Sequence, residues 1–176
     1  RNQPGVLMRV AGLFSRRGFN IDSLAVGITQ NPEFSRMTVT MKADISTVDQ
    51  VCKQLAKLVE VEAIKVLPPN ASTKRSMALV KVKAGDKKLE ILKLADVFRA
   101  HAIDVTGDSL TFLITGVNDK LHAFVDVMRP YGIIEMVQTG AIALGRGDEA
   151  LTVEKSRYTW PKVVDEANVR KNCTVI

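Results

Sequence analysis

Two short stretches carry residues suited to binding a small polar ligand. The first is Asn2-Gln3-Pro4-Gly5-Val6-Leu7. Pro4 suits the first position of a helix because its missing N–H would have no intrahelical partner, and Gly5 leaves bare N–H groups at the positive pole of the helix dipole, where a carboxylate is stabilised. The second is Asn20-Ile21-Asp22-Ser23, just after Gly18, where the Asn20 amide can both donate and accept. Neither stretch contains a nucleophile beside a base, so the chemistry on offer is binding. Elsewhere His101 and His122 stand without a cysteine or second histidine at ligand spacing, and Asp104, Asp108 and Asp119 sit near turns, where they cap more readily than they act as an acid/base pair. No G-x-S-x-G, H-E-x-x-H, G-x-G-x-x-G or phosphate-loop pattern occurs.

The elements that must position these stretches follow from periodicity. Val6, Leu7, Val10, Leu13 and Phe14 mark one face of a helix over about 5–17, with Gly18 as its left-handed stop. Strands are expected over 19–28 and 35–43, the second with Met37, Val39 and Met41 alternating against Thr38, Thr40 and Lys42. A helix over 46–59, capped by Ser46 or Thr47, and a strand over 60–67 close the unit before Pro68-Pro69-Asn70-Ala71-Ser72. After this loop the same grammar recurs: strand 78–83, helix 87–100, strand 102–106, strand 109–115, helix 118–129, strand 133–140. That is β-α-β-β-α-β. The first unit has the same order with its opening strand absent, so residues ahead of Arg1 or another chain are expected to supply it.

The fold expected is therefore α+β, two ferredoxin-like units: residues 1–68, a linker 69–76, a second unit 77–147 and a polar tail 148–176 that docks or is mobile, with Trp160-Pro161 as its bulky anchor. A hydrophobic content of 46% over 176 residues is enough for ordinary cores, and no apolar run is long enough to cross a membrane. Cys52 and Cys173 make no disulfide framework. The formal charge of +6 is spread along the chain, which gives no nucleic-acid footprint. An RNA-recognition module shares the element order, and Arg17-Gly18-Phe19 opens like its aromatic strand motif; the motif then fails at Asn20, and 5% aromatic content leaves no stacking platform.

The run Gly12-Leu13-Phe14-Ser15-Arg16-Arg17-Gly18-Phe19-Asn20-Ile21-Asp22-Ser23-Leu24, with Asn2-Gln3-Pro4-Gly5 before it, resembles the N-terminal ACT domain of the acetolactate synthase (acetohydroxyacid synthase) small-subunit family. Ser35-Arg36-Met37-Thr38, Gln54 to Val61, Phe98-Arg99-Ala100, Ile103 to Thr106 and Thr139-Gly140 keep that family's order, so the resemblance covers about residues 1–146. It implies a non-catalytic regulatory subunit. Such a subunit activates a thiamine-diphosphate enzyme, which also carries magnesium and FAD, and confers feedback inhibition by valine, leucine or isoleucine. This chain itself is expected to hold no cofactor. The effector is expected between two ACT domains of a homodimer, against Asn2, Pro4, Gly5, Val6 and Leu7 and against Asn20, Ile21, Asp22 and Ser23. The setting would be a cytoplasm, or a plastid stroma in a photosynthetic eukaryote. An amino-acid sensor of the ACT type serving another client enzyme is the alternative.

Overall fold

The computed structural model describes residues 1–148, 150–151, 158–159 and 173–175. The element order is α1 (Val6–Arg16), β1 (Ser23–Ile28), β2 (Ser35–Met41), α2 (Ile45–Leu55), β3 (Ile64–Leu67), β4 (Ser72–Lys83), α3 (Lys88–Val97), β5 (His101–Val105), β6 (Ser109–Gly116), α4 (Asn118–Met128), β7 (Ile133–Gln138), β8 (Ile142–Gly145), β9 (Tyr158–Thr159) and β10 (Cys173–Val175). These form two units, Arg1–Thr73 with Ala141–Ile176, and Lys74–Gly140. Both are α+β with ferredoxin-like sheets, as the residue pattern implies, antiparallel throughout except for the parallel pair β3 and β9 in the first unit. Among the described residues no helix is long and apolar enough to cross a membrane.

In the second unit the sheet order is β5-β6-β4-β7. Its alternating residues Ala78, Val80, Val82, Leu110, Phe112 and Ile114 face the helices and meet Leu121, Phe124 and Met128 from α4, all buried. Phe124 takes edge-on contacts from both Phe98 and Phe112, at ring separations of 5.6 and 5.8 Å. The central strand β4 begins at Ser72, six residues earlier than the sequence expectation of 78. Alternate burial at Ser72, Ser76 and Ala78 extends the strand, although two of those residues are serines. Hydrophobicity alone therefore understates its length.

In the first unit the order is β1-β2-β10-β3-β9. Val10, Leu13 and Phe14 of α1 and Val48, Val51, Cys52 and Leu55 of α2 pack on Val39, Met41, Ile64 and Val66. The expected stop at Gly18 is present: its φ is 67°, and Gly18 and Phe19 N–H groups donate to Ser15 and Phe14 carbonyls at 3.1 and 3.0 Å. Helix α2 starts earlier than expected because Asp44, not Ser46 or Thr47, is the N-cap, its carboxylate accepting from Thr47 N–H at 2.7 Å. The helix also ends at Leu55.

The opening strand missing from the sequence pattern has its position filled from the far end of the chain. β10 lies between β2 and β3, antiparallel to both, with Val175 opposite Val39 and Val66. β9 adds beside β3 through Ile64 and Lys65. Two short pieces of the 148–176 segment are thus sheet strands, whereas Trp160-Pro161 lies outside the described residues. Residues 141–147, read from sequence with the second unit, associate with the first: Ala143 packs on Leu67, and Arg146 N–H donates to the Ala71 carbonyl at 2.9 Å.

Candidate functional site

The front stretch is held by its backbone. Gly5 is the N-cap of α1 with φ 84° and ψ −11°, a left-handed conformation that glycine adopts without penalty, and nothing lies within 4 Å of where a Cβ would stand. Pro4 therefore precedes the cap instead of occupying the first helical position, a shift caused by the left-handed turn at Gly5. No side chain caps this helix; Val6 N–H donates to the Gln3 carbonyl at 3.5 Å, and the Leu7 and Met8 N–H groups remain available to a ligand or to water. Asn2 is fixed against the chain that follows β1: its N–H donates to the Glu33 carbonyl at 2.7 Å and its Nδ2 to the Pro32 carbonyl at 3.0 Å. Val6 points into the core while Leu7 is 45% exposed.

The second stretch is the entry to β1. Asn20 is exposed and its Nδ2 donates to Asp22 Oδ1 at 3.2 Å. Asp22 N–H donates to the Thr40 carbonyl at 2.9 Å, and Ser23 Oγ and Thr40 Oγ1 share a hydrogen bond of 2.7 Å. Ser23 Oγ also accepts from Ala141 N–H at 3.4 Å. Ile21 is half-buried against the first-unit core. The backbone and the side-chain amide of Asn20 are therefore preset, and the other side of the amide is open to solvent.

A single chain keeps these stretches apart. They flank the 11-residue helix α1, so at 1.5 Å per residue about 16 Å of helix lies between Gly5 and the turn that leads to Asn20. An α-amino acid cannot span that length. β1, however, is an edge strand paired only with β2 among the described residues. It starts at the Asn20 end and finishes at Ile28, and the loop that follows it holds Asn2 through Pro32 and Glu33.

Two residues near this edge were not singled out by motif. Val26 and Ile28 share the strand face of Leu24, whose side chain packs on the helix side of the sheet, yet they are 46% and 70% exposed. Their apolar alternation was visible in sequence; their exposure was not, because it depends on how far α1 covers the strand. Among the described residues no three of His, Cys, Asp and Glu gather as a metal site.

Comparison with known proteins adds to this geometry. Residues 1–65 match the family described as the AHAS small subunit-like ACT domain, and residues 75–147 match the family described as the small subunit of acetolactate synthase. The chain is 47% identical over 149 residues to a probable acetolactate synthase small subunit of Archaeoglobus fulgidus, an alignment covering 84% of this chain and 93% of that protein. It is 43% identical over 155 residues to the acetolactate synthase small subunit of Mycolicibacterium smegmatis, covering 88% and 91%. The crystal structure of an acetolactate synthase small subunit from Thermotoga maritima is similar at a TM-score of 0.80 and 39% identity, over 84% of this chain and 93% of that one.

Proposed function

The chain belongs to the acetolactate synthase small-subunit family, and on that premise we propose that it activates the catalytic subunit and makes it subject to feedback inhibition by a branched-chain amino acid. Thiamine diphosphate, magnesium and FAD belong on this reading to the catalytic partner, and the work is done in the cytoplasm. The observation that carries the effector site is the uncapped, glycine-led start of α1 beside the open edge of β1.

Two copies make one site. If two β1 edges pair antiparallel about a two-fold axis, the start of one strand meets the end of the other. The Asn20–Ser23 turn of one copy then stands beside Asn2–Leu7 of its partner, which one chain cannot achieve alone. The first-turn N–H groups after Gly5 receive the effector carboxylate, the Asn20 amide and nearby carbonyls receive its ammonium, and Leu7, Val26 and Ile28 line the space for a branched side chain. Because the ligand bridges both copies, its binding energy is linked to the pairing geometry that the catalytic subunit senses. Valine lacks one methylene of leucine or isoleucine, worth about 1 to 3 kcal/mol in a fitted pocket, and those two differ only in where the chain branches, so selectivity among them rests on fine shape.

The test is acetolactate formation by the catalytic subunit alone, with this chain, and with this chain plus each of valine, leucine and isoleucine. Activation reversed by one of them is the expected result and names the effector. Activation without reversal would remove the effector site from the reading. No effect of a folded chain on its matched catalytic subunit would redirect the search to another client enzyme.

A further inference from the structure

The four residues that enter β1 differ in what their side chains have left to offer. Ile21 packs on the core of the first unit. Ser23 Oγ bonds Thr40 Oγ1 and accepts from Ala141 N–H, so its hydroxyl is used inside that unit. Asn20 and Asp22 are both exposed, and the bond between them has only one polarity. An ionised carboxylate has no hydrogen to give, so Asn20 Nδ2 is the donor to Asp22 Oδ1. The amide is thereby turned with its nitrogen toward Asp22 and its carbonyl oxygen left over. Beyond the second Nδ2 hydrogen, the pair offers a ligand only acceptors: Asn20 Oδ1 and the remaining lone pairs of a negatively charged carboxylate. The turn that carries them is pinned at both ends. Phe19 N–H donates to the Phe14 carbonyl at 3.0 Å, and Asp22 N–H to the Thr40 carbonyl at 2.9 Å.

We propose that Asp22 is the residue that makes the effector site specific for an amino acid: it orients the Asn20 amide so that Oδ1 meets the ligand's ammonium, and its own carboxylate supplies the opposing charge. This inference rests on the effector reading given above and assigns a selectivity to one half of that site. The 2-oxo and 2-hydroxy acids of the same carbon skeleton share the effector's carboxylate and branched side chain. Only the ammonium separates them. A 2-oxo acid sets its carbonyl oxygen against Asn20 Oδ1 and the Asp22 carboxylate, acceptor against acceptor, and leaves all of them unpaired. A hydroxyl satisfies one acceptor and leaves the charge unanswered. An ammonium has three N–H donors and a positive charge, enough for both side chains at once. The uncapped start of α1 favours an anion and the Asn20–Asp22 pair favours a cation, so the two halves together select a zwitterion over its singly charged relatives.

The experiment uses the whole chain with its catalytic subunit. It reads the half-inhibitory concentrations of L-valine, L-leucine and L-isoleucine, and of the 2-hydroxy acid matching whichever inhibits most strongly. Calorimetric titration of the same two ligands into the whole chain repeats the comparison without turnover. The wild-type chain should prefer the amino acid by at least about tenfold. Asp22→Asn keeps the shape and removes the charge. It should weaken the amino acid at least about tenfold and the hydroxy acid by less than about twofold, so that the preference narrows. Asp22→Glu should restore part of that preference. A merely structural role would weaken both ligands together. Equal loss of the two, or a wild-type preference in Asp22→Asn, overturns the proposal. If Asn20→Ala and Gly5→Asp raise the half-inhibitory concentration while Asp22→Asn does not, the effector site stands and only the role of Asp22 falls. If none of the three variants changes inhibition, the effector site falls with it.

Discussion

The two units share an element order and differ in how the central strand is obtained. In the second, β4 leads directly into α3 and pairs with β6 over eight residues, Ser76 to Lys83. In the first, the corresponding position between β2 and β3 is held by three residues, Cys173–Val175, from more than a hundred residues away. A central strand contributes both hydrogen bonds and one face of the core; in the second unit it comes from adjacent chain, whereas β10 reaches the first across a long loop closure. The helix starts differ as well. Both units put a left-handed glycine before the first helix, Gly5 at φ 84° and Gly85 at φ 44°, but lysines 87 and 88 follow Gly85 closely, whereas Val6 and Leu7 follow Gly5. Both helices start without a side-chain cap and both units have an edge strand, β1 and β5, so the difference lies in the residues after the glycine. The proposed pairing and effector site draw on the first unit alone.

The largest effect should come from the core of the second unit. Phe112→Ala removes a fully buried ring packed on Phe124 and should cost about 3 to 5 kcal/mol, whereas Val175→Ala in the first unit should cost nearer 1.5 kcal/mol, at about 0.8 for each methyl-sized group lost. Urea unfolding followed by hydrogen exchange in each unit separates the two, and equal losses would erase the contrast. Next, Gly5→Asp and Gly85→Asp each force a side chain into a left-handed backbone, costing about 1 to 2 kcal/mol. Only Gly5→Asp sets a like charge against the effector carboxylate. It should raise the half-inhibitory effector concentration by at least about tenfold with activation retained, and so should Asn20→Ala, which removes the polar clamp. An identical shift from Gly85→Asp would place the effector elsewhere.

Alkaline pH should also separate the units. Burial, followed by the proximity of Cys52 and Asp49, pushes the Tyr158 phenol far above its usual 10.0. Tyr131 in the second unit, half-buried at the edge of its core, is raised chiefly by its hydrogen bond to Glu90. An unfolded phenol loses its proton above pH 10.0 while folded Tyr158 keeps its own, so the folded state binds more protons and the first unit loses stability as pH rises past that value. Tyr158→Phe should flatten this alkaline loss in the first unit, as read by circular dichroism and exchange. The smallest effect is expected at two hydroxyls that are buried without partners among the described residues, Thr174 in the first unit and Thr111 in the second. Each Thr→Val change should be neutral or stabilising by up to about 1 kcal/mol in thermal unfolding.

Sequence alone determined the repeated element order and the stop of α1 at Gly18, and it pointed to both halves of the candidate site, because each depends on residue types a few positions apart. Turn chemistry and the 3.6-residue and two-residue periods are local, and they survive whatever the chain does elsewhere. Ser72–Thr73 at the start of β4 and Asp44 at the start of α2 were less legible, since strand pairing and a particular cap bond set those boundaries. Only the tertiary structure decided that Asn2 is anchored by carbonyls thirty residues on, and that Gly5 and Asn20 stand at opposite ends of one helix. Tertiary structure also decided that a distant strand occupies the centre of the first sheet. The physical reason is that a sheet accepts any backbone presenting hydrogen bonds in register, so local pattern specifies that a strand is needed there but not which segment supplies it.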